Sequence, residues 1–251
     1  MQTLHTVLLV FIFAMSALTW WSSSKRANRY GRYMKEGQKR TVSARIGWLM
    51  FESPQVVAFA LTFWLTAGEP SVVAIAIFAV WQAHYTHRAI LYPLRRNNQG
   101  KRFPIGGVVA GVAFNSINGF LNGYAVATAG HLADASWFAD PRFIIGTAIF
   151  AAGWVVNFHA DSVLIRLRSD GFTGYRVPHG GLFRWVSCAN YTGEIVMWCG
   201  FAMATWTVAG LSFAVFTIAN LLPRALTHHR WYVDNLPDYP ADRKAVFPGI
   251  L

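Results

Sequence analysis

The chain has 251 residues, of which 54% are hydrophobic and only 13% are charged, and its mean hydropathy is +0.32. Soluble domains carry about 25% charged residues, so this composition excludes an ordinary soluble protein and indicates a membrane protein. The formal net charge of +11 would attract phosphorylated ligands. Nucleic acid fits poorly, because the basic residues are divided among short segments instead of forming one groove.

Seven apolar stretches are long enough to cross a membrane as helices, for which about 17–25 residues are needed. No Lys or Arg precedes the first stretch, so we interpret it as a retained span and not a cleaved signal. We therefore predict an all-α integral membrane protein, a seven-transmembrane-helix bundle in a single domain over residues 1–251. The predicted spans cover 4–21, 45–67, 71–92, 105–129, 142–165, 186–206 and 208–232.

The distribution of positive charge predicts the orientation of these spans. Lys and Arg accumulate in the short cytoplasmic loops of membrane proteins. With the N-terminus outside and the C-terminus cytoplasmic, Arg142 is the single one of the 22 Lys and Arg residues that lies on the outer side. Glu69, Asp134 and Asp140 fall in the outer loops. The membrane is then a bacterial inner membrane or the endoplasmic reticulum.

The second and third spans each contain a polar side chain at similar depth. Glu52, in "WLMFESPQVVAF", lies about seven residues, or roughly 10 Å, from the inner end of its span. Tyr85, in "AHYTHRAILY", lies equally far from the inner end of the third span. An ionisable group in a membrane usually faces a partner or a wet cavity. A carboxylate beside a phenol could polarise a carbonyl; alternatively, Glu52 only pairs with a neighbouring helix.

Glycines recur in the fourth span at the spacing that permits close helix approach. They are Gly107 and Gly111, then Gly119 and Gly123. Tight packing against another helix is the first interpretation. The alternative is a flat wall against which a rigid ring system lies.

Polar side chains form stripes on the inner halves of the remaining spans, because residues four apart share one helix face. A chamber lined by Arg, His, Asn, Tyr and carboxylates suits a large anionic ligand such as a phosphorylated nucleotide. Snorkelling arginines and interhelical hydrogen bonds are the structural alternatives. The stripes are Tyr85, Arg88 and Tyr92; Asn157, Asp161 and Arg168; Asn190 and Glu194; and Arg224, His228 and Tyr232.

Other motifs are uninformative. Cys188 and Cys199 lie about 16 Å apart on one predicted helix, too far for a disulfide. No His, Cys or acidic residues occur at metal-ligand spacing, so we assign no metal. No glycine-rich loop follows a strand, so a nucleotide would bind outside a Rossmann fold.

Several segments in order closely resemble the steroid 5α-reductases, the 3-oxo-5α-steroid 4-dehydrogenase family. They are "FESP", "HYTHRAILYP", "NGFLNGY", "NFHADSVLIRLR", "GYRVPHGGLFRWVSCANYTGEIVMWCGFAMATW" and "LPRALTHHRWYVDNLPDYPADRKAVFPGIL". The resemblance implies a seven-helix membrane fold. It also implies NADPH-dependent reduction of the carbon 4–carbon 5 double bond of 3-oxo-Δ4-steroids such as testosterone and progesterone, with hydride transfer to carbon 5.

The resemblance also implies roles for individual residues. Glu52 and Tyr85 match the carboxylate and tyrosine at the 3-keto oxygen of the steroid. One departure concerns Phe51, since animal steroid reductases carry Gln at that position, and this affects which steroid fits. The matches for NADPH are Tyr30, Arg32, Trp48, Arg88, Tyr92, Lys101, Asn157, Asp161, Arg168, Tyr175, Arg176, Asn190, Glu194, Arg224, His228 and Tyr232.

Three alternatives remain open at this point. Related membrane reductases act on enoyl-CoA or polyprenol-type lipids. A membrane methyltransferase that uses S-adenosylmethionine has a compatible architecture, and a non-enzymatic transporter or lipid-binding protein would also bury polar stripes. The implied partners are a steroid and the lipid bilayer, and a monomer is compatible with the sequence.

Overall fold

The computed structural model describes residues 1–25, 40–96, 100–167, 169–170 and 174–251. These residues are largely α-helical, as the sequence predicts. The only strands among them are two of three residues each, β1 (Thr41–Ser43) and β2 (Arg102–Pro104). The helices are α1 (Gln2–Lys25), α2 (Ala44–Thr66), α3 (Val72–Thr86), α4 (Tyr92–Arg95), α5 (Ile105–Thr128), α6 (Pro141–Arg166), α7 (Ala189–Thr205) and α8 (Val208–Asn235).

The long helices coincide with the predicted spans to within a few residues. Among the described residues, five helices are both long and apolar enough to cross a membrane, namely α1, α2, α5, α6 and α8. The third predicted span corresponds to α3, which is followed directly by a π turn and then by α4. Helix α7 has 17 residues and is shorter than the five helices named above. The protein is thus a multi-pass helical membrane protein.

Side-chain caps set several of the helix starts. Ser43 accepts a hydrogen bond from the backbone N–H of Ile46, and Ser71 and Thr207 cap α3 and α8 in the same way. These residue types favour helix starts because the side-chain oxygen satisfies an otherwise unpaired backbone donor. Asp140 caps α6, and hydrogen bonds from Arg142 lower the pKa of the Asp140 carboxyl to about 2.

The strands β1 and β2 form an antiparallel pair, with Thr41 opposite Pro104 and Ser43 opposite Arg102. The sequence predicts no strand here, because three-residue strands carry too little alternation to be recognised. The pair fixes the first turns of α2 and α5 side by side.

Helices α6 and α7 approach each other closely through glycines. A Cβ on Gly153 would lie 2.4 Å from the Met197 nitrogen, and a Cβ on Gly193 would lie 2.4 Å from the Asn157 nitrogen. Gly146 and Gly200 repeat this contact further along the pair. Small residues of this kind let two membrane helices pack backbone to backbone.

Helices α2 and α5 also pack tightly, and polar side chains hold them together. Gly119 and Gly123 face the α2 backbone near Phe59, which confirms the close-packing interpretation for this half of the glycine stripe. The Gln55 amide donates to Asn115 at 2.9 Å. Interhelical hydrogen bonds of this type hold membrane helices in one register.

A π turn, His87–Leu91, separates α3 from α4. The backbone N–H of Tyr92 donates to the carbonyl of His87, five residues earlier. Pro93 follows directly and cannot donate to the carbonyl four residues before it, which favours a widened turn at this point. The π turn contains Arg88 and shifts the residues after it relative to the face of α3.

The segment after α8 folds back onto the start of α7. The backbone nitrogen of Ser187 donates to the carbonyl of Lys244 at 2.8 Å, and the Thr192 hydroxyl donates to the carbonyl of Val246 at 2.6 Å. The Tyr239 hydroxyl donates to Ser187, and burial raises the pKa of Tyr239. This segment therefore fixes the position from which α7 enters the bundle.

Candidate active site

A cavity of about 800 Å³ lies where one end of the helix bundle meets the connecting segments. Its size falls in the range of pockets for cofactors and small ligands, about 300–1,000 Å³. Its lining side chains come from α1, α2, α4, α5, α6, α7 and α8 and from the segments that connect them. We call the ends of α4, α6 and α8, together with the starts of α2, α5 and α7, the basic end, because Arg96, Arg176 and Arg224 line the cavity there.

The lining changes from polar to apolar along the helices. Arg224 and His228 lie near the basic end of α8, whereas Phe216 lies two turns deeper on the same helix. The rings of Phe216 and Phe114 stack with their centroids 3.9 Å apart. A single cavity therefore offers charged groups at one end and an apolar lining at the other. The apolar lining residues include Met15, Phe51, Ala110, Gly111, Phe114 and Phe216.

The glycine stripe of α5 contributes to this apolar part. A Cβ on Gly111 would lie 2.0 Å from the Phe51 ring, so the ring rests directly against the glycine backbone. Gly107 and Gly111 both line the cavity. Gly107 and Gly111 thus form part of the cavity wall, whereas Gly119 and Gly123 pack against the α2 backbone.

Arg88 lies at the centre of a cluster of three carboxylates. Its Nη1 lies 2.8 Å from Asp161 Oδ2 and its Nη2 lies 3.3 Å from Glu194 Oε2, while Nε lies 3.7 Å from Glu52 Oε1. Glu52 and Asp161 are 8% and 3% exposed. Burial of so many charges is tolerated only when they are paired. The cluster joins α2, the π turn, α6 and α7.

Two aromatic rings and a backbone hydrogen bond hold Arg88 in place. The guanidinium carbon lies 5.1 Å from the centroid of Trp48 and 4.8 Å from that of Tyr92, within cation–π distance. The Trp48 indole N–H donates to the carbonyl of Arg88 itself at 2.9 Å. Both the side chain and the backbone of Arg88 are therefore fixed.

Tyr85 lies behind the cavity wall. Its ring stacks on Trp198, with 5.5 Å between the centroids, and tilts against Trp81 at 4.9 Å. Among the described residues, the ionic partner of Glu52 is Arg88 and not Tyr85, although Tyr85 lies close enough to interact with Glu52 electrostatically. The sequence pattern predicts one stripe for Tyr85, Arg88 and Tyr92, but the π turn, which lies between Tyr85 and Tyr92, breaks the α-helical phase.

The candidate residues on α6 and α7 form a connected network. Asn157 donates to the backbone carbonyl of Asn190 at 2.9 Å, and the Asn190 side chain donates to Asp161 at 3.4 Å. Asn190 and Glu194 line the cavity, whereas Asn157 and Asp161 lie buried behind them. The polar stripes on these two helices therefore face each other, and α7 presents them to the cavity.

The loop before α7 and the end of α8 complete the basic end. Tyr175 packs edge-on against Trp231, and Arg176 pairs with Asp170 at 2.7 Å. His228 Nε2 lies 3.4 Å from the hydroxyl of Tyr191. The candidate residues that the structure brings together around the cavity are Trp48, Glu52, Arg88, Tyr92, Tyr175, Arg176, Asn190, Glu194, Arg224, His228 and Tyr232.

Four further candidates are not among the described residues that line the cavity. Tyr30, Arg32 and Arg168 fall outside the described residues. Lys101 precedes β2, where its carbonyl accepts a hydrogen bond from Ala44, and it is not among the described residues that line the cavity.

Several residues that line the cavity could not be recognised from the sequence. Arg96 follows α4, and in the sequence it is only one of the many positive charges that indicate the orientation of the spans. Tyr191 and Ser187 do not belong to any periodic pattern of polar residues. Ser187 Oγ lies 2.6 Å from His229 Nδ1. Their position depends on the segment after α8, which no local pattern links to residues 187–191.

The sequence also predicts no disulfide between the two cysteines and no metal site. Neither Cys188 nor Cys199 forms a disulfide, as predicted. Within the ranges that the structure describes, no group of three or more His, Cys, Asp or Glu side chains is arranged to hold a metal ion.

Comparison with known proteins gives consistent matches. The family model described as "3-oxo-5-alpha-steroid 4-dehydrogenase" matches residues 101–251. A protein of Solanum lycopersicum named steroid 5-alpha-reductase DET2 is 38% identical over 251 residues, which cover 98% of this chain and 97% of the relative. The 3-oxo-5-alpha-steroid 4-dehydrogenase 1 of Homo sapiens is 38% identical, covering 88% of this chain and 86% of the human protein. The Bos taurus protein of the same name is also 38% identical, covering 88% of this chain and 87% of its own length.

Proposed function

The chain belongs to the 3-oxo-5-alpha-steroid 4-dehydrogenase family of oxidoreductases, and on that premise we propose that it reduces 3-oxo-Δ4-steroids with NADPH. The reaction adds a hydride at carbon 5 and a proton at carbon 4, which gives a 5α-dihydrosteroid. The observation that carries the proposal is the two-part cavity, in which Glu52 lies between an apolar lining and a set of arginines.

The cavity fits NADPH in its donor set. Arg96, Arg176 and Arg224 supply guanidinium groups of the kind that bind phosphate oxygens, often in bidentate fashion. Tyr175 and Tyr232 add aromatic surfaces at the same end. We assign the polar residues at the basic end to the cofactor, which when bound supplies the hydride for the reduction.

The apolar end fits the ring system of a steroid. Phe51, Phe114 and Phe216 present aromatic surface, and Gly111 leaves room for the Phe51 ring. Burial of apolar area drives such binding at about 25 cal/mol per Å². We infer that the fused rings lie in this part with their 3-ketone directed at Glu52.

The acid and the phenol would act on the ketone oxygen. Glu52 reaches the cavity from α2, and Tyr85 lies behind it on α3. A preorganised hydrogen-bond donor aimed at this oxygen would stabilise the negative charge that develops there as carbon 5 is reduced. We assign this task to Tyr85 and to Glu52 in its protonated form, which requires the Tyr85 hydroxyl to approach the site when the steroid binds.

The membrane topology is part of the same proposal. We propose that the third predicted span and α7 also cross the membrane, so that seven spans form one reductase domain over residues 1–251. The N-terminus then lies outside and the C-terminus and the basic end face the cytoplasm, where NADPH is available. The support is the distribution of Lys and Arg, which accumulate in cytoplasmic loops.

Product analysis tests the function directly. The purified full-length protein is incubated with NADPH and either testosterone or progesterone, and the products are identified by mass spectrometry with the configuration at carbon 5 determined. We expect a product two hydrogens heavier with the 5α configuration. NADPH oxidation with a trans-2-enoyl-CoA or a polyprenol-type lipid, and none with a steroid, would contradict the proposal.

A further inference from the structure

We propose that Arg88 is a positioning residue, which acts through Glu52 to hold its carboxyl group against the ketone end of the cavity. This inference deepens the proposed function and rests on it. The resemblance to the family implies a different role for Arg88, namely contact with the cofactor. The geometry of its guanidinium separates the two roles.

All three nitrogens of the guanidinium face carboxylates. Nε faces Glu52, Nη1 faces Asp161 and Nη2 faces Glu194, at 3.7, 2.8 and 3.3 Å. A planar guanidinium has five N–H donors in a fixed fork, so a fixed Arg sets the positions of the groups around it. Because the carboxylates come from α2, α6 and α7, Arg88 ties three helices together at the level of Glu52.

The surroundings of Arg88 argue against a phosphate contact. Each nitrogen of the guanidinium already faces a carboxyl group, so the planar fork is poorly placed for a bidentate contact with a phosphate group. The rings of Trp48 and Tyr92 also lie within cation–π distance of the guanidinium. Arg96, Arg176 and Arg224 lie at the basic end instead, where an anionic ligand meets positive charge.

The contact with Glu52 is the part that bears on the reaction. The Nε–Oε1 distance of 3.7 Å is that of an ion pair and is longer than a hydrogen bond. Such contacts in an active site often shorten when the reacting groups are bound. The ion pairs with Asp161 and Glu194 and the rings of Trp48 and Tyr92 hold the guanidinium, so any shortening should move Glu52 and not Arg88.

Two substitutions at Arg88 and one control test the proposal. Arg88→Gln removes the charge, and Arg88→Lys keeps it but replaces the planar fork by a single ammonium group. Arg95→Gln is the matched control, because Arg95 is exposed and donates to Ser162, away from the three carboxylates. For each protein, kcat and KM are measured with testosterone, and the dissociation constant of NADPH is measured by quenching of tryptophan fluorescence.

We expect Arg88→Gln to lower kcat on the order of 100-fold, as displacement of a catalytic group by about 1 Å can do. NADPH affinity should change less than about threefold, Arg88→Lys should give an intermediate kcat, and the control should resemble the wild type. A phosphate contact predicts the reverse, with NADPH affinity reduced tenfold or more and kcat retained at saturating cofactor. That result would overturn the inference.

A double variant distinguishes positioning from a general structural effect. If Arg88 acts through Glu52, Arg88→Gln should have little further effect on single-turnover product formation in a Glu52→Gln background. Independent losses that multiply would overturn the inference, as would an unchanged kcat for both Arg88 variants. Should Arg88→Gln not fold, Arg88→Lys carries the same comparison. Absence of turnover by the wild type would instead overturn the proposed function, so the two failures are distinct.

Discussion

At the scale of single residues, Glu52 poses the main physical question, because a carboxylate in an apolar helix is costly. Insertion scales give about 2.5–3.5 kcal/mol for an acidic residue at the centre of a membrane helix. The structure gives Glu52 both a partner, Arg88, and a cavity to face. A residue that only joined two helices would not need the cavity, so the placement favours a chemical role.

The first prediction concerns the proposed acid and phenol. Glu52→Gln and Tyr85→Phe keep the side-chain volumes but change the groups that polarise the ketone, so kcat should fall by about 100-fold or more while NADPH binding is retained. Steady-state reduction of testosterone and fluorescence titration with NADPH check the two halves. Glu69→Gln and Tyr124→Phe are the matched controls, since neither residue lines the cavity.

For Tyr85, the outcome that would contradict this prediction has a specific meaning. Undiminished steroid reduction by Tyr85→Phe would remove the tyrosine from the reaction and leave Glu52 with Arg88. The ring stacks on Trp198, so in that case its role would be packing alone.

The second prediction concerns the wall formed by Phe51 and Gly111. A methyl group at position 111 would overlap the Phe51 ring at 2.0 Å and push it into the cavity. Gly111→Ala should therefore raise the KM for testosterone by about tenfold, since overpacking costs on the order of 1–3 kcal/mol. Initial-rate measurements at saturating NADPH test this.

Compensation by the neighbouring residue identifies the cause of that effect. Adding Phe51→Leu to Gly111→Ala should restore much of the affinity, because the smaller side chain leaves room for the new methyl group. An equal loss in the single and double variants would mean that the ring is not what position 111 accommodates.

How far the site could be predicted from sequence differs from residue to residue. Glu52, Asn190 and Arg224 are recognisable because each is a polar residue within an apolar helix, and all three line the cavity. The role of Arg88 could not be predicted, because its three partners lie on separate helices between 36 and 106 positions away in the chain. Sequence spacing gives the face of one helix but not the neighbours of that face.

At the scale of helices, the prediction of element positions succeeds where the signal is local. Length and hydropathy predict both ends of α2, α5, α6 and α8 to within three residues of their positions in the structure. The π turn at His87–Leu91 was not predicted, because one extra residue per turn leaves hydropathy unchanged. It alters the helical phase instead, and for that reason Tyr92 lines the cavity whereas Tyr85, which ideal α-helical spacing would place in the same stripe, does not.

The third prediction concerns the contact between α6 and α7. A Cβ at Gly153 or Gly193 would lie 2.4 Å from the backbone of the other helix, which no side-chain adjustment can relieve. Gly193→Ala should separate the helices and disturb Asn157 and Asn190, which hydrogen-bond across the pair. We expect a loss of about 1–3 kcal/mol in stability together with weaker NADPH binding.

Thermal unfolding in detergent and NADPH titration measure these two effects. Gly130→Ala is the matched control, because a Cβ there would meet no atom within 4 Å. Normal NADPH affinity in a destabilised Gly193→Ala protein would show that the α6–α7 contact supports the fold without positioning the cofactor residues.

At the scale of the whole molecule, the cavity depends on segments far apart in sequence. The β1–β2 pair fixes the starts of α2 and α5, and the segment after α8 fixes the start of α7 through Ser187 and Thr192. Both connections lie at the basic end. The apolar halves of the helices can therefore be packed by hydrophobic patterning alone, whereas the site requires contacts that only the complete chain provides.

The last prediction concerns orientation, because the proposed reaction requires the basic end to face the cytoplasm. Ser136 and Ser169 are both exposed and lie near opposite ends of α6. In a background with Cys188→Ala and Cys199→Ala, Ser136→Cys should react with a membrane-impermeant maleimide in intact bacterial cells. Ser169→Cys should react only after permeabilisation, since the positive charge around it predicts a cytoplasmic location.

The reverse labelling pattern would place Arg96, Arg176 and Arg224 outside the cell, where no NADPH is available to them. Labelling of both positions in intact cells would mean that α6 does not cross the membrane. Either result would contradict the proposed topology while leaving the family membership intact, because the comparison of sequences does not depend on orientation. The labelling experiment thus tests the physical link between the charge pattern and the source of reducing equivalents.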